Sequence, residues 1–174
     1  MILVDHQIKY LAENHRLVIP FSEELLNPAS LDIRIGNKLL LASEHGWIKE
    51  DISNFSFSDP YYLYPNDFCL VESYEIFNFP QDVCGEFKLK SSRGREGYDH
   101  GAAGFIDPDW QNSRLTMELK NIHPYKRLPL YPQLRIGQIV FMMLSEYPNL
   151  KYSEIGHYNY DLSVQPSKTH NQQI

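Results

Sequence analysis

Short segments in which apolar and polar residues alternate recur along the chain and are typical of β-strands. The clearest covers residues 30–35, SLDIRI, where one side of the strand is apolar and the other is charged. We predict a half-buried strand there that ends at the turn signal Gly36-Asn37. Further strands are predicted at 61–64, 68–72, 74–77, 83–89, 115–119 and 134–144.

Helical spacing is confined to the N-terminal region. Ile8, Leu11 and Ala12 predict a short helix over residues 5–14, which Asp5 can cap. Residues 17–20 are expected to be extended, and the polar residues 45–60 to form a surface excursion. Because proline is frequent, at 11 of 174 residues, we predict an all-β fold with a short N-terminal helix, built as a barrel or sandwich.

The chain length bounds the organisation of the protein. A chain of 174 residues with 43% hydrophobic residues fits one domain with a real core. We therefore predict a single domain over residues 1–174, with a flexible tail over about 168–174. The two cysteines, Cys69 and Cys84, provide no disulfide framework.

The net charge and the N-terminal sequence limit the expected binding partners and the expected cellular compartment of the protein. A net charge of −6 is unusual for a protein that binds nucleic-acid backbones, so no nucleic-acid partner is expected. The first ten residues do not resemble a signal peptide, and no apolar run is long enough to span a membrane. We expect no membrane association and a location in the cytoplasm, either of a bacterium or of the host of a virus or phage.

A polar stretch at residues 91–110, SSRGREGYDHGAAGFIDPDW, interrupts this strand pattern and carries most of the candidate chemistry. Its Ser91, His100 and Asp107 could suggest a catalytic triad, but the GxSxG turn of such hydrolases is absent. The seven histidines are scattered, and the zinc signature HxE…PCxxC of deaminases is absent. We therefore predict no metal held by the protein and no zinc.

Three smaller features leave alternatives open. Residues 90–95, KSSRGR, suit an anion or form a solvated charged turn. Residues 101–107, GAAGFID, form a tight β-hairpin, whose backbone could also read a flat base. Glu118 is a solvated strand residue or a general base, since alternation sets Thr116, Glu118 and Lys120 opposite Leu115, Met117 and Leu119.

Five segments follow, in order along the chain, the signature of one known family. They are MILVDHQIKYLAENHRLVI, NPASLDIRIGN, LKSSRGREGYDHGAAGFIDPDW, LTMELKN and LRIGQIVFMML. The second resembles PASxDxRLG, the third GRSSLxRxGLxxHxxAxxIDPGW, the fourth LTLELxN and the fifth MxIGQLxF. The chain thus resembles the dCTP deaminases of the trimeric dUTPase-like superfamily over nearly its whole length.

This resemblance implies a dUTPase-like β-clip, or distorted barrel, and a homotrimer whose active sites lie between subunits. It implies that Glu118, Ser91 and Arg95 are catalytic. It further implies that the nucleotide is bound by Lys90, Ser92, Arg93, Gly94, His100, Ala103, Phe105, Asp107, Trp110, Thr116, Met117, Tyr152, Asn159 and Ser163.

The implied reaction is a metal-free hydrolytic deamination of dCTP to dUTP and ammonia. Glu118 would activate the water, Ser91 would position it, and Arg95 would support the loop. Mg²⁺ is expected only as the partner of the triphosphate, and dTTP is a candidate inhibitor. The alternatives are a bifunctional enzyme that gives dUMP and pyrophosphate, with Asp107 activating the second water, or a dUTPase alone.

Departures from the family pattern keep a further alternative open, a nucleotide-binding module without turnover. Lys90 replaces an arginine and Arg93 an apolar residue. In the C-terminal lid, Asn159 stands where the family has lysine and Ser163 where it has glutamine. The loss of that lysine implies weaker dCTP affinity, or a preference for a monophosphate or a modified base.

Overall fold

Antiparallel β-strands form the frame of the molecule in the computed structural model, which describes residues 1–101 and 103–168. The strands are β1 (Val18–Ile19), β2 (Leu26–Asn27), β3 (Ser30–Ser43), β4 (Gly46–Asp51), β5 (Tyr61–Leu63), β6 (Phe68–Phe77), β7 (Val83–Leu89), β8 (Tyr98–Asp99), β9 (Phe105–Ile106), β10 (Ser113–Asn121), β11 (Leu128–Leu130) and β12 (Arg135–Met143). The predicted all-β fold class is confirmed. Apart from Lys168, the predicted tail lies outside the described residues.

The helices are short: α1 (Asp5–His15), a 3₁₀ turn (Glu23–Leu25), α2 (Ser91–Glu96) and α3 (Tyr152–Ile155). The predicted N-terminal helix is confirmed, and its Ile8 and Ala12 are buried. The predicted cap is wrong, because Val4 occupies the N-cap position and its N–H donates to Oε1 of Gln7 at 3.1 Å. Asp5 lies in the first turn, where its negative charge suits the helix dipole.

One curled sheet contains ten of the strands. Its main path runs β8-β10-β6-β3-β12-β7-β9, while β1, β2 and β4 pair along its sides, and β5 and β11 form a separate pair. The two end strands, β8 and β9, are joined by residues 100–104 alone. Such a connection reaches at most about 20 Å, so the two ends of the sheet lie close together, as in a distorted barrel.

This connection corrects the prediction of a hairpin at residues 101–107. Strand β8 pairs with β10 and strand β9 pairs with β7, so the two strands do not pair with each other. The glycine at position 104 serves this crossing, because a Cβ there would collide with the backbone carbonyl of Phe87. The glycine at position 104 therefore allows the backbone of this connection to pass close to strand β7.

Strand β3 differs from its prediction in two ways. It continues through Gly36-Asn37, where a register shift between Ile35 and Leu39 marks a bulge, and its second half joins β4 and β6. It is also buried on both faces, since Asp32 is only 3% exposed. Burial of this charge is balanced by Nζ of Lys90, which lies 2.7 Å from the Asp32 carboxylate.

The remaining predicted strands are found with small changes. Strand β6 joins the two predicted strands at 68–72 and 74–77, and β4 lies inside the predicted excursion at 45–60. The core between the sheet layers is rich in aromatic residues, with Phe77, Phe79 and Trp110 in mutual contact. Within the described ranges, no helix has the length and apolarity needed to cross a membrane.

Candidate active site

A cavity of about 450 Å³ opens beside strands β10 and β6 of the sheet. Strand β10, the segment that follows β9 and the C-terminal part of the chain provide most of its walls. Its lining consists of Trp47, Leu70, Ala103, Phe105, Ile106, Asp107, Trp110, Arg114, Leu115, Thr116, Glu118, Tyr152, Tyr158, Asp161, Gln165 and Ser167. Seven of the predicted site residues are in this set: Ala103, Phe105, Asp107, Trp110, Thr116, Glu118 and Tyr152.

Glu118 is placed in the cavity by the alternation of strand β10. Its neighbours Met117 and Leu119 are fully buried in the core on the opposite face, as the sequence predicts. Across the sheet Glu118 pairs with Leu70, which gives the carboxylate an apolar neighbour. Burial raises the pKa of Glu118 above the ordinary value, although a backbone hydrogen bond partly opposes this.

Leu115 departs from the predicted alternation. A register shift between Arg114 and Thr116 interrupts the pairing of β10 with β6. Because a bulge turns the following side chain, Leu115 also lines the cavity beside Thr116, while it still packs against the core cluster that contains Met117. Its N–H donates to Oγ of Ser73 at 2.8 Å, which satisfies the backbone at the bulge.

A second carboxylate, that of Asp107, follows strand β9 and also lines the cavity. Burial raises its pKa as well. None of the ion pairs formed within residues 1–101 and 103–168 includes Asp107 or Glu118. A carboxyl group that lines a cleft and has a raised pKa is a candidate for proton transfer, and this cavity contains two.

Aromatic side chains form another wall of the cavity. The indole N–H of Trp110 donates to the carbonyl of Tyr158 at 2.8 Å, which ties the wall to the C-terminal region. Burial raises the pKa of Tyr152, so its hydroxyl stays protonated at neutral pH. Phe105 is 65% exposed at the rim. Flat faces of this kind suit a planar ring.

Positive charge is scarce in the lining. Arg114 is the one cationic side chain among the described lining residues, which include the carboxylates of Asp107, Glu118 and Asp161. The guanidinium of Arg114 donates to the backbone carbonyls of Ser73 and Tyr74. The cavity of one chain therefore lacks the cationic groups that several phosphates require.

The predicted anion-binding residues lie elsewhere, in and next to the short, exposed helix α2. Ser91, Ser92, Gly94 and Arg95 are all exposed, and no residue of 90–96 lines the cavity. The two other basic residues of this segment are already engaged. Lys90 pairs with Asp32, and Arg93 donates to the carbonyl of Arg135 and to the Glu96 carboxylate.

Four further predicted residues lie outside the cavity lining. His100 packs edge-on against Phe87, with 5.3 Å between ring centroids, and the side chain of Met117 belongs to the core. Oδ1 of Asn159 accepts the N–H of Gln111 at 2.7 Å. Ser163 lines a smaller groove beside Lys38 and Lys49.

Several lining residues were not predicted from the sequence. Trp47 comes from strand β4, Leu70 from β6, and Tyr158, Asp161 and Gln165 from the C-terminal region. Leu70, like the lining residue Leu115, had a sequence signal as a member of a predicted strand, whereas Trp47, Tyr158, Asp161 and Gln165 had none. In the described part of the chain, no group of three or more His, Cys, Asp or Glu side chains is arranged to hold a metal ion.

The family model that describes dCTP deaminase-like proteins matches residues 2–144. The chain belongs to the dCTP deaminase-like family. A dUMP-forming dCTP deaminase of Thermobifida fusca is 31% identical to it over 157 residues, which are 83% of this chain and 79% of the relative. The predicted membership of this family of hydrolases is confirmed.

Solved structures support the same fold. The dCTP deaminase of Agrobacterium tumefaciens superposes with a TM-score of 0.67 at 20% identity, over 82% of this chain and 48% of that longer chain. The dUTPase of Streptococcus mutans gives a TM-score of 0.51 at 17% identity, over 74% of this chain and 93% of that chain. The predicted dUTPase-like fold of this dCTP deaminase family member is thereby confirmed.

Proposed function

We propose that this protein is a dCTP deaminase that also cleaves the triphosphate, so that its products are dUMP, ammonia and pyrophosphate. The observation that carries the proposal is Glu118, a carboxylate of raised pKa that shares an aromatic-walled cavity with Asp107. The dUMP-forming relative supports this bifunctional product over the dUTP that the motifs alone first imply.

In the first step, Glu118 takes a proton from a water molecule, and the resulting hydroxide attacks C4 of cytosine. Glu118 passes this proton to N3, then takes the second proton from the new hydroxyl at C4 and delivers it to the amine. The C4–N bond breaks, the C4 carbonyl forms, and ammonia leaves. A carboxyl whose pKa is raised by burial suits this double role, because its carboxylate is a stronger base than an ordinary glutamate and its acid form is still a proton donor. The net change is dCTP plus water to dUTP plus ammonia.

In the second step, a water molecule attacks the α-phosphate of dUTP, and dUMP and pyrophosphate separate. Asp107 is the proposed base for this water, and it also binds the 3′-hydroxyl of the sugar, so that deoxyribose is preferred. Its position in the same cavity as Glu118 supports both steps in one site. Mg²⁺ enters as part of the substrate, chelated by the triphosphate.

The cationic partners of the triphosphate come, in this proposal, from a neighbouring subunit. The cavity contains three carboxylates and one arginine, whereas α2 presents Ser91, Ser92 and Arg95 to solvent. Hydroxyl and guanidinium groups are good phosphate ligands. A homotrimer that brings α2 of one subunit to the cavity of the next completes the site, with Ser91 positioning the water and Arg95 supporting the loop.

The experiment is incubation with dCTP and Mg²⁺, with chromatography of the nucleotides and parallel assays of ammonia and pyrophosphate. Ammonia together with dUMP and pyrophosphate is the expected result. Ammonia with dUTP alone would replace the proposal by a simple deaminase. If dCTP, dUTP and dCMP all came back unchanged, the enzyme proposal would fail and a nucleotide-binding module would take its place.

A further inference from the structure

A buried carboxylate beside the cavity has no role in the chemistry proposed above. Glu72 is only 4% exposed, and no ion pair among the described residues includes it. Its Oε1 accepts the N–H of Asn37 at 3.1 Å, and its Oε2 accepts the N–H of Val164 at 3.2 Å. A buried carboxyl group needs hydrogen-bond partners. These two backbone N–H groups are the partners of Glu72, and Glu72 in turn fixes the two backbone segments that carry them.

The fold makes room for this side chain at the bulge of β3. A Cβ at position 36 would lie 2.6 Å from Cγ of Glu72, so the glycine there is needed for the carboxylate to reach its partners. The register shift after Ile35 takes the N–H of Asn37 out of the strand ladder, and Glu72 accepts it. One oxygen of Glu72 is therefore fixed to the sheet itself.

The other oxygen holds the C-terminal segment, residues 161–168. Val164 packs onto Leu40 and Leu70, and the N–H of Gln165 donates to Oγ1 of Thr116 at 3.1 Å. Thr116 lies directly opposite Glu72 in the pairing of β10 with β6, so these two side chains act as neighbouring acceptors for consecutive N–H groups. No backbone carbonyl takes their place at these two N–H groups in the described structure.

This segment forms part of the cavity wall. Its Asp161, Gln165 and Ser167 line the cavity that contains Glu118. Its beginning is fixed separately, since the carbonyl of Asp161 accepts the N–H of Arg114 at 2.8 Å. Nζ of Lys168 donates to the Asp161 carboxylate at 2.5 Å, which folds the end of the segment back on its beginning. Between these points, Glu72 and Thr116 accept the N–H groups of Val164 and Gln165.

We propose that Glu72 is a positioning residue that holds the C-terminal segment against the active-site cavity of its own subunit. The proposal rests on the proposed function, because it takes this cavity as the place where the nucleotide binds. Glu72 does not touch the reacting atoms. It acts through the backbone of Val164 and fixes the wall that Gln165 and Ser167 contribute.

The test is Glu72→Gln in the full-length protein, read by amide hydrogen exchange. Glutamine preserves the shape but has a single acceptor oxygen, so it can no longer accept the N–H groups of both Asn37 and Val164. We expect the amides of Val164 and Gln165 to exchange about tenfold faster. We also expect KM for dCTP to rise about tenfold with kcat within about twofold, as for a lost contact common to ground and transition states. Glu146→Gln, at an exposed position, is the matched control and should change neither.

A second variant approaches the same contact from the other side. Val164→Pro removes the N–H that Glu72 accepts. Val164→Ala, which keeps that N–H, controls for the packing onto Leu40 and Leu70 that the proline also changes. The proline variant should reproduce the rise in KM, and its double variant with Glu72→Gln should show little more than either single one, since both remove the same interaction. Val164→Pro also tests the proposal if the Glu72→Gln protein fails to fold.

Two results would overturn the proposal. One is unchanged exchange at Asn37, Val164 and Gln165 alike in folded Glu72→Gln protein, and the other is fully additive effects on KM in the double variant. The exchange measurement needs no turnover, so its outcome is independent of the proposed reaction. A wild-type protein that converts neither dCTP nor dUTP would refute the reaction while the exchange result still decides the role of Glu72.

Discussion

The cavity and the α2 turn are opposite in character, although both contain residues predicted for one active site. The cavity is concave, aromatic and acidic, with Glu118 and Asp107 in its lining. The α2 turn is exposed and basic, with Arg95 in solvent and outside every ion pair of the described residues. Each region has the chemistry that the other lacks, which is the arrangement expected when a site is divided between subunits.

The sharpest way to test the cavity half is Glu118→Gln. The amide cannot take a proton from water, so deamination should fall by about 10³-fold or more, while the Kd for dCTP changes little. Ammonia release and nucleotide binding by calorimetry would measure the two quantities separately. Glu13→Gln, an exposed position on α1, is the control. Deamination at the wild-type rate by Glu118→Gln would refute the mechanism.

Asp107→Asn separates the two proposed steps. Loss of the second base should slow pyrophosphate release by about 10²-fold and let dUTP accumulate, whereas ammonia release should fall less. The matched control is Asp109→Asn, because Asp109 is a nearby carboxylate that accepts hydrogen bonds from Ser153 outside the cavity lining. Asparagine tolerates its positive φ of 67°. Equal losses in both steps for Asp107→Asn would contradict the division of roles.

Arg95→Ala tests the exposed half and its place in the neighbouring subunit. Loss of a charged hydrogen-bond donor should lower kcat/KM by roughly 10- to 100-fold. Co-expression of Arg95→Ala with Glu118→Gln should then restore activity, since random assortment in a trimer leaves about a quarter of the sites with both wild-type halves. Separately purified variants, mixed without exchange of subunits, serve as the control.

A mixed preparation no more active than its two parents would show that each cavity works within one chain. Light scattering of the same samples gives the number of subunits directly. A monomer at micromolar concentration would contradict both the trimer and the shared site, and would leave the triphosphate without the cationic partners that this proposal assigns to α2.

Local pattern was enough to predict the features that depend on neighbouring residues. The period of two around Glu118 predicted its face correctly, because Met117 and Leu119 are core residues on the other side. The helical spacing of Ile8 and Ala12 likewise predicted α1, because both residues face the core from one side of that helix. The motifs LTMELKN and IDPDW predicted the family and located the two carboxylates that the cavity brings together.

Features set by long-range pairing could not be predicted in this way. Trp47 and Leu70 reach the cavity only because β4, β3 and β6 are adjacent in the sheet. The same holds for β8 and β9, which look like a hairpin in sequence but pair with strands at opposite ends of the path. The α2 helix gave no periodic signal because none of its six residues is buried.

The smallest expected effect is on the stability of the folded protein, through the dependence of the Glu118 carboxyl on pH. Burial raises the pKa of Glu118 in the folded state, so its ionised form opposes folding above that pKa. Below the ordinary pKa of the unfolded chain, the carboxyl is protonated in both states and this cost disappears. The cost therefore grows as pH rises from the unfolded value through the folded one.

Glu118→Gln has no charge at any pH and should escape this cost. We expect its Tm to exceed that of the wild type by on the order of 2–4 °C above the folded-state pKa, with the difference vanishing at acidic pH. Calorimetric scans of both proteins across this range measure it, and the matched change at the exposed Glu13 should shift Tm much less. A wild-type enzyme that is more stable than Glu118→Gln at neutral pH would mean that a cation stabilises this carboxylate. Arg114 of the same cavity and Arg95 of a neighbouring subunit are then the candidate cations, and the same scans in an Arg95→Ala background distinguish them.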